Sequence, residues 1–439
     1  MEPESKGPVE AKNLAELEDK NVCTKPVSSR FAAEAIYMLR EGMQMFPSIY
    51  GLDHVKRRLV EVLMTGHGVI LKGDFGVGKT ALANAIFAVV KRYYDTHPVY
   101  SNVGCPVREN SKYLYDYLVM GEHSALPGVC PVCRHAYLQT ETRPSDIPVE
   151  RVYLAEGAGF ARVQGNEDVD PEKILGMYHL GRYAEIGDPF DPRVLVPGKI
   201  AQASGGVFFV DELGLLNKEA QYALIQGLQE KHFSPTNSRM TFPIDFLFVS
   251  TTNTVNEFQI HKAIHNRLVG LRIDRVTAFE EAAIVRENLA ERQFGVYFPE
   301  LFIEYLVEAI RQLSDVSVYL GPRSTIRASQ IAAASALLEG RHAVSYCDVR
   351  EAIYTEVLGQ ADDETYDECR KTLSMGILKI SDFLRDRLPS VEALALALET
   401  EGETPETVDE SLLVGMPEAA GQRRDVVGLY VDAYLKECG

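Results

Sequence analysis

The chain has 439 residues, 46% of them hydrophobic, so it is long enough to bury the cores of two or three domains. Its formal net charge of −18 argues against a protein that mainly wraps a phosphate backbone, although a local basic groove or pore loop would escape this argument. No apolar run approaches the roughly 18 residues that a membrane span needs, and the acidic opening MEPESKGPVE is not typical of a signal peptide. We therefore predict a cytoplasmic protein that does not enter the membrane.

The N-terminal part of the chain predicts a polar arm followed by helices and a buried strand. Residues 1–28 are rich in polar residues and are predicted to form a loose, flexible arm. Apolar residues at Ala32, Ile36 and Leu39 predict a helix, and the stretch FPSIYGLDHVKRRLVEVLM predicts an amphipathic helical segment. The short apolar run GVILKG predicts a buried strand, and TALANAIFAVVKRYY then has the apolar periodicity of a helix.

The loop between this strand and this helix decides between two interpretations. Its neighbourhood contains VILK and DFG, which look like two protein-kinase motifs, but those motifs lie in different kinase lobes with an HRDxxxxN loop between them, and this sequence has no such loop. The other interpretation is the pattern G-x-x-x-x-G-K-[ST], which runs from Gly73 to Thr80. A strand before the loop and a helix after it are the context that this P-loop requires, so the P-loop interpretation is favoured.

A P-loop predicts which groups bind nucleotide. Backbone N–H groups of a glycine-rich loop, together with a helix N-terminus, form a site for phosphate. We expect Lys79 to reach the β- and γ-phosphates and the Thr80 hydroxyl to bind Mg²⁺, so the predicted cofactors are ATP and Mg²⁺. The predicted nucleotide-binding residues of the loop are Gly73, Asp74, Gly76, Val77, Gly78, Lys79, Thr80 and Ala81.

A long irregular segment from about 95 to 200 precedes a second buried strand, VFFVDE, which ends in two carboxylates. Asp211 at the end of this strand is predicted to help hold Mg²⁺, and Glu212 is predicted to orient and polarise the attacking water as a general base. The alternative is an acidic pair exposed to solvent at a strand end. Four apolar residues directly before the pair, downstream of a P-loop, favour the catalytic interpretation.

Further along, the helix NKEAQYALIQGLQEKH has Asn217 as its predicted N-cap, FSPTNSRMTFP predicts a hairpin, and IDFLFVSTTN predicts a third buried strand. Asn253 ends that strand; it is either a turn residue or a ligand of the γ-phosphate or the lytic water. Every segment from 277 to about 360 has helical periodicity. Two arginines, Arg267 in IHNRL and Arg323 in GPRST, are either surface residues or suited to the charge of a γ-phosphoryl transition state.

The order P-loop, FFVDE, STTN, IHNRL and GPRST resembles an AAA+ ATPase, in particular the branch of the magnesium-chelatase ATPase subunit and the MoxR-type ATPases. The resemblance runs from about 45 to 360 and implies that the Tyr50–Gly51 backbone borders the adenine. It also implies that Arg267 is a finger acting on a neighbouring subunit and that Arg323 is sensor 2, with Arg327 one helical turn on as a rival. Asn253 takes the place of sensor 1 in this resemblance.

The predicted fold class is therefore α/β: a P-loop AAA+ nucleotide domain with a parallel sheet, a helical lid domain and a C-terminal helical extension. We place the nucleotide domain at 29–275, with a cysteine-bearing insertion at about 95–150. The lid is predicted at 276–360. The extension, which contains an acidic linker, is predicted at 361–439.

The insertion resembles a cysteine-bearing insertion of chelatase-type ATPases, although a cysteine expected after Cys105 falls on Arg108 or Glu109. The C-x-x-C spacing of Cys130 and Cys133 lets two thiolates share a metal, and with Cys105 it predicts a structural Zn²⁺ site. His123 is the preferred fourth ligand, with His135 and Glu109 as the other choices. The alternative is three reduced cysteines without metal.

The resemblance implies a ring-forming ATP hydrolase, with six subunits usual in the family, that remodels a partner protein carrying a von Willebrand A-type (VWA) domain. An unfoldase that works with a separate peptidase is one alternative, because the region around VFFVDE also resembles membrane-type Lon ATPases, yet no Ser/Lys peptidase domain follows. A nucleic-acid helicase of the same branch is another; Arg239 near the hairpin favours it and the net charge opposes it. A nucleotide-switched scaffold is disfavoured because every hydrolytic residue is present.

Overall fold

The structure is a computed structural model that describes residues 11–20, 25–74, 76–120, 128–139, 142–314 and 320–360, together with residues 366, 367, 370, 371, 373, 379 and 383. The chain divides into two compact units. The first comprises residues up to 74 and 78–273, and the second comprises 75–77 and the chain from 274 onward. Among the described helices, none has both the length and the apolar character that crossing a bilayer requires. Nearly all of the predicted extension at 361–439 lies outside the described residues.

The elements are given in chain order. The helices of the first unit are α1 (Val27–Arg40), α2 (Asp53–Met64), α3 (Lys79–Thr96), α4 (Ser111–Met120), α5 (Pro131–Cys133), α6 (Pro171–Leu175), α7 (Leu180–Ile186), α8 (Lys199–Gln202), α9 (Lys218–Glu230) and α10 (Lys262–His265). Its strands are β1 (Gly68–Lys72), β2 (Tyr100–Asn102), β3 (Val149–Arg151), β4 (Ala155–Glu156), β5 (Gly159–Gln164), β6 (Gly176–Tyr178), β7 (Leu195–Pro197), β8 (Val207–Asp211), β9 (His232–Phe233), β10 (Phe242–Pro243), β11 (Leu247–Thr252) and β12 (Leu268–Arg272). The helices of the second unit are α11 (Ala278–Arg292), α12 (Glu300–Ser314), α13 (Pro322–Leu338) and α14 (Tyr346–Gln360). Short 3-10 helices lie at Leu14–Lys20, Pro144–Asp146, Pro192–Val194, Leu213–Leu215 and Glu257–Gln259, and a π-helical turn lies at Arg134–Leu138.

A six-stranded parallel sheet in the order β12-β1-β11-β8-β5-β4 organises the first unit. All residues of β8 and β11 are buried, which explains why the runs VFFV and LFV are apolar without the alternation of a half-exposed strand. The predicted buried strands GVILK, VFFVD and LFVSTT are therefore confirmed as β1, β8 and β11. This sheet, followed along the chain by a helical unit, is the predicted AAA+ P-loop fold. Because β1, β8 and β11 are parallel neighbours, their carboxyl ends meet at one edge.

The cysteine-bearing insertion begins and ends at an antiparallel pair, β2 with β3, in which Tyr100 faces Arg151. Part of the N-terminal arm packs here. Leu14 and Leu17 are buried in a cluster that also holds Tyr100 and Leu114. Residues 14–20 form a 3-10 helix, so this part of the arm differs from the loose arm expected at 1–28. The physical reason is that two leucines three residues apart lie on one face of a 3-10 helix and can be buried together.

Helix α1 confirms the predicted helix, but its buried face differs from the apolar set named in the sequence. Ile36 and Leu39 are 38% and 62% exposed. Phe31, Ala35 and Met38 are buried instead. Both sets satisfy helical spacing, and the set that includes the large phenylalanine is the one that faces the core.

Two shorter features predicted from the sequence are also present. Strands β9 and β10 pair antiparallel, with Phe233 opposite Phe242, and the Ser238 N–H donates to the Pro235 carbonyl over 3.1 Å, which confirms the hairpin and its turn. Asn217 is the N-cap of α9, because its side chain accepts from the Ala220 N–H over 2.8 Å. This cap fixes the start of the helix that follows β8.

The second unit is a helical assembly whose α11 begins with a capping box between Thr277 and Glu280. The side chain of Glu281, in the first turn, is fully buried and accepts hydrogen bonds from Arg275, Arg311 and Thr325. A buried carboxylate requires such partners because its desolvation is costly. Three helices and the segment before α11 are therefore tied together at one side chain.

Candidate nucleotide-binding site

The glycine-rich loop starts where the central strand β1 ends and finishes at the first residue of α3, Lys79. Gly76 and Gly78 have φ values of +79° and +90°, which a side chain would strain. Residue 75 lies outside the described residues. The positive end of the α3 macrodipole therefore faces the loop, an arrangement that favours the binding of anions such as phosphate.

Lys79 is buried within this loop and makes three hydrogen bonds. Its Nζ donates to the Gly73 carbonyl over 2.6 Å, to the Asp74 carbonyl over 2.8 Å and to Asn253 Oδ1 over 2.6 Å. The third bond joins the end of β11 to the start of α3, residues 174 positions apart in the chain. The structure therefore brings the predicted phosphate-binding lysine and the predicted sensor asparagine into direct contact.

Asp211, the last residue of β8, is buried and already has two partners. Its Oδ1 accepts from Thr251 Oγ1 over 2.7 Å, and its Oδ2 pairs with Arg162 on the neighbouring strand β5. Neither partner was predicted from the sequence. A polar side chain inside the apolar strand segment ARVQ is the signal that could have pointed to Arg162.

Glu212 adopts an unusual backbone conformation, with φ 55° and ψ 56°, directly after β8. Its N–H donates to Thr251 Oγ1 over 2.8 Å, so the hydroxyl of Thr251 contacts both acidic residues. Gly165 packs against this turn, because a Cβ there would lie 2.1 Å from the Glu212 carbonyl oxygen. Only glycine fits this approach, so the left-handed turn is held by its surroundings.

One carboxylate oxygen of Glu212 is not hydrogen-bonded to any described residue. Its Oε2 is buried and has no hydrogen-bond partner in the described part of the chain, and burial raises the pKa of this carboxyl. Asn253 has a matching feature, because its Nδ2 is buried without a partner among the described residues while Oδ1 is used by Lys79. Buried polar atoms without partners are costly, and they commonly await a ligand or water. An acceptor and a donor of this kind, both next to Lys79, suit a phosphate oxygen and a water molecule.

The remaining residues predicted to bind Mg²⁺–ATP differ in exposure and local contacts. The side chain of Thr80, the second residue of α3, is partly buried, and Ala81 after it is exposed. Asp74 accepts from Thr254 Oγ1 over 3.2 Å. Tyr50 is partly buried and Gly51 has a φ of +59°, just before α2 begins. Oxygen ligands from a hydroxyl and a buried carboxylate match the preference of Mg²⁺.

The three candidate arginines have different surroundings. Arg267 lies between α10 and β12, is partly exposed, and donates from Nη1 to the Ala263 carbonyl over 2.6 Å. Arg327 on α13 makes two bonds from Nε to the carboxylate of buried Glu356 on α14, over 3.1 Å and 3.0 Å. Arg323 is exposed at the N-terminus of α13, and in the second unit its Cβ lies 3.4 Å from the position that a Cβ on Gly76 would take. The Arg327 guanidinium is therefore used within the helical unit, whereas Arg323 is available to solvent.

The predicted cysteines come together in the insertion. Ligand atoms of Cys105, Cys130 and Cys133 lie within 4.8 Å of one another, and the fourth residue of this group is Glu109. His123, the preferred fourth ligand in the sequence, lies outside the described residues. His135 stacks on Phe190, with ring centroids 4.2 Å apart, and is not one of the four.

Comparison with known proteins places similarity on the second half of the nucleotide domain. Residues 193–276 match the family of the Sigma-54 interaction domain. An archaeal Lon protease of Thermococcus kodakarensis is 34% identical over 126 residues, which are 26% of this chain and 18% of that protein. The archaeal Lon protease of Methanothermobacter thermautotrophicus is 29% identical over the same shares. The chain thus matches less than a fifth of the length of these relatives.

Among solved structures, the RuvB Holliday junction branch migration motor of Thermotoga maritima aligns with a TM-score of 0.40 and 17% identity, covering 84% of this chain and 90% of that one. A complex between subunits BchI and BchD of magnesium chelatase aligns with a TM-score of 0.37 and 17% identity, covering 74% of this chain and 98% of that chain. The sheet order, the glycine-rich loop before α3 and the Sigma-54 interaction domain match together support an AAA+ ATPase.

Proposed function

We propose that this protein is an ATP-hydrolysing motor that works as a ring and remodels a partner protein. The observation that carries the proposal is the contact of Lys79 with Asn253, beside a buried Glu212 carboxylate oxygen that has no partner among the described residues. Binding alone needs only the loop and Lys79. A carboxylate that is kept partly desolvated, and whose pKa is raised by burial, is suited to accept a proton from water.

In this proposal different residues of the chain bind the phosphates, orient the reacting groups and accept the proton. The loop and Lys79 bind the phosphates, Asn253 orients the γ-phosphate or the lytic water, and Glu212 accepts the proton of that water. Thr80 and Asp211 would hold Mg²⁺, which when bound neutralises charge on the phosphates. Thr251 and Arg162 are positioning residues, because both act through Asp211.

A ring would complete the site between subunits. Arg267 is partly exposed, at the end of a segment that also presents Val255 and Phe258, which are 61% and 80% exposed. Exposed apolar side chains that form one contiguous patch mark an interaction site. We propose that this segment, from 254 to 267, faces the next subunit and that Arg267 reaches the γ-phosphate bound there, while exposed Arg323 acts as sensor 2. Six subunits are proposed from the resemblance to the AAA+ ATPases.

We propose more specifically that the chain belongs to the magnesium-chelatase and MoxR branch and has a VWA-domain protein as its partner. This proposal rests on the sequence resemblance from about 45 to 360. Similarity to archaeal Lon proteases supports a second candidate, an unfoldase that delivers chains to a separate peptidase. The net charge of −18 stands against nucleic acid as the substrate.

Purification of the protein from its own cells, with identification of bound partners by mass spectrometry, tests the assignment. A VWA-domain protein that stimulates ATP hydrolysis and is released when ATP turnover is blocked supports the proposal. A peptidase that is retained instead, or salt-dependent binding to DNA with DNA-stimulated hydrolysis, would replace it with one of the alternatives. Absence of ATP hydrolysis in the purified chain and in the partner complex would overturn the motor itself.

A further inference from the structure

The insertion contains a cluster of four buried side chains that can bind a metal. Cys105, Glu109, Cys130 and Cys133 are 9%, 6%, 0% and 2% exposed. One ligand atom from each lies within 4.8 Å of the other three. They come from two segments, residues 105–109 and 130–133, which belong to the same turn-rich region of the first unit. The four potential metal-ligand atoms therefore lie close together, on side chains that are shielded from solvent.

The backbone of the first segment turns around the Cys105 sulfur. The Cys105 N–H donates to the Asn102 carbonyl over 3.0 Å, and the Arg108 N–H donates to the Cys105 carbonyl over 3.2 Å. The Glu109 N–H then donates to Cys105 Sγ over 3.4 Å. Arg108 takes a φ of +47° at this point, so the turn is tight. An N–H group aimed at sulfur favours the thiolate, which is the form that binds metals.

The second segment presents its two sulfurs from a short helical turn. Cys130 precedes α5, in which Pro131 takes the first position, and the Arg134 N–H donates back to the Cys130 carbonyl over 2.8 Å. Cys133 ends α5. The turn therefore fixes Cys130 and Cys133 on the side that faces Cys105, as the two-residue spacing requires for a shared ion.

The Glu109 carboxylate is fixed by hydrogen bonds, as metal-binding carboxylates usually are. Its Oε2 accepts from the Cys130 N–H over 2.6 Å, and its Oε1 accepts from Asn102 Nδ2 over 3.4 Å. A carboxylate has about four lone-pair positions, so two remain for an ion. In the described part of the chain no lysine or arginine pairs with Glu109. A buried carboxyl beside three thiols lacks a cation, and a divalent ion would supply one.

The donor set and its size point to one kind of ion. Three sulfurs and one oxygen in a closed site match structural zinc, for which sulfurs about 3.8 Å apart follow from Zn–S distances of about 2.3 Å in a tetrahedron. A [4Fe–4S] cluster binds each of four thiolates to a different iron, which needs a fourth cysteine and more widely spaced sulfurs. All four positions are filled by protein side chains, so no place is left for a substrate.

We propose that Cys105, Glu109, Cys130 and Cys133 bind one structural Zn²⁺, with Glu109 in the fourth position that the sequence assigned to His123. The ion would join the two segments of the insertion. The segments' apolar side chains pack into two clusters, and Val129 and Tyr137 contact both of them. One cluster contains β8 and the other contains the N-terminal 3-10 helix, so zinc would tie the insertion to the core of the nucleotide domain. The inference does not depend on ATP hydrolysis.

The metal content of the full chain tests the proposal. Protein purified under reducing conditions without a chelator should contain one zinc per chain by elemental analysis. Displacement of that zinc should make three further thiols reactive toward a thiol reagent. A Co²⁺-substituted chain should show thiolate-to-metal charge-transfer absorption with a tetrahedral ligand-field spectrum. These measurements use the unaltered chain, so they do not depend on whether variants fold.

Variants then assign the ligands. The double variant Cys130→Ser/Cys133→Ser should lose the zinc, and Glu109→Gln should weaken zinc binding at least tenfold in a competition with a chromogenic chelator. Cys347→Ser is the matched control, because this partly buried cysteine lies outside the group, and it should keep the zinc. Zinc loss in His123→Ala with full retention in Glu109→Gln would overturn the fourth ligand. A chain that neither contains nor takes up zinc, or whose mass shows a disulfide among the three cysteines, would overturn the site.

Discussion

Lys79 Nζ and Asn253 Oδ1 lie 2.6 Å apart, which joins the start of α3 to the end of β11. The contact uses the asparagine oxygen, whereas the Asn253 amide nitrogen is buried without a hydrogen-bond partner among the described residues. We therefore propose separable roles for the two residues. In this proposal Lys79 carries the charge that binds phosphate, and Asn253 places a donor next to it.

Lys79→Ala should weaken ATP binding itself, because it removes the charge and the three hydrogen bonds that organise the loop. Asn253→Ala should leave binding within a fewfold of wild type and lower turnover at least tenfold. Calorimetric ATP titration and a phosphate-release assay measure the two effects. Lys91→Ala on the exposed face of α3 is the control. Equal losses of binding in both variants would contradict separate roles.

Glu212→Gln should keep ATP binding and abolish turnover, because it removes the base and leaves Asp211 and the loop unchanged. Exposed Glu219→Gln is the matched control and should be active. Burial raises the pKa of Glu212, and only the ionised carboxylate accepts a proton, so the turnover of wild type should fall on the acid side at a higher pH than an ordinary glutamate near 4.3 would give. A pH profile of kcat checks this. Wild-type turnover in Glu212→Gln would refute the assignment of the base.

Thr251→Val should disturb both Asp211 and Glu212, because it removes the one hydroxyl that contacts both residues. The change leaves the Glu212 N–H without its acceptor and Asp211 Oδ1 without its donor, at a cost of about 1–3 kcal/mol per buried group. We expect at least a tenfold loss of turnover and a higher Mg²⁺ requirement. The control is Ser250→Ala, which removes a hydroxyl on the same strand that donates to the Val69 carbonyl. An unchanged Mg²⁺ dependence in Thr251→Val would show that Asp211 does not need this support.

The core of the nucleotide site could be predicted because its residues follow local patterns. Gly73–Thr80 lies between an apolar strand and an apolar-periodic helix, and Asp211 follows four apolar residues. The sequence shows Arg162 only as a polar residue in an apolar segment, and it shows neither the partner of Arg162 nor the role of Gly165. Their roles come from the pairing of β5 with β8, which brings Arg162 to a residue 49 positions away. The contact of Glu109 with the Cys130 N–H likewise spans 21 positions and is not visible in the sequence.

If the active site is completed between subunits, mixing two inactive variants should restore part of the activity. Glu212→Gln lacks the base and Arg267→Ala lacks the finger, so a mixed ring contains interfaces with both groups intact. A finger contributes roughly 10³–10⁵ in rate, so partial recovery is easily measured by phosphate release. Lys218→Ala, exposed on α9 and outside the segment 254–267, should be active by itself and serves as the control. No recovery in rings shown to be mixed, or full activity in a strictly monomeric chain, would contradict the interface.

The second unit should lose local stability in acid because Asp348 becomes protonated. Burial alone would raise the pKa of this carboxyl, but hydrogen bonds from Arg341, Ser335 and Ser345 hold it down to about 2. Because the folded pKa lies below the unfolded value of about 3.9, the stabilisation is present above pH 4 and is lost as the pH falls toward 2. The shift corresponds to about 2.5 kcal/mol. Hydrogen exchange of the α13 and α14 amides in the full chain should show faster opening of Asp348→Asn than of wild type at pH 6, with a difference that shrinks below pH 4. Glu351→Gln, exposed on the same helix, should match wild type throughout, and a pH-independent difference for Asp348→Asn would mean that the charge of Asp348 does not stabilise the unit.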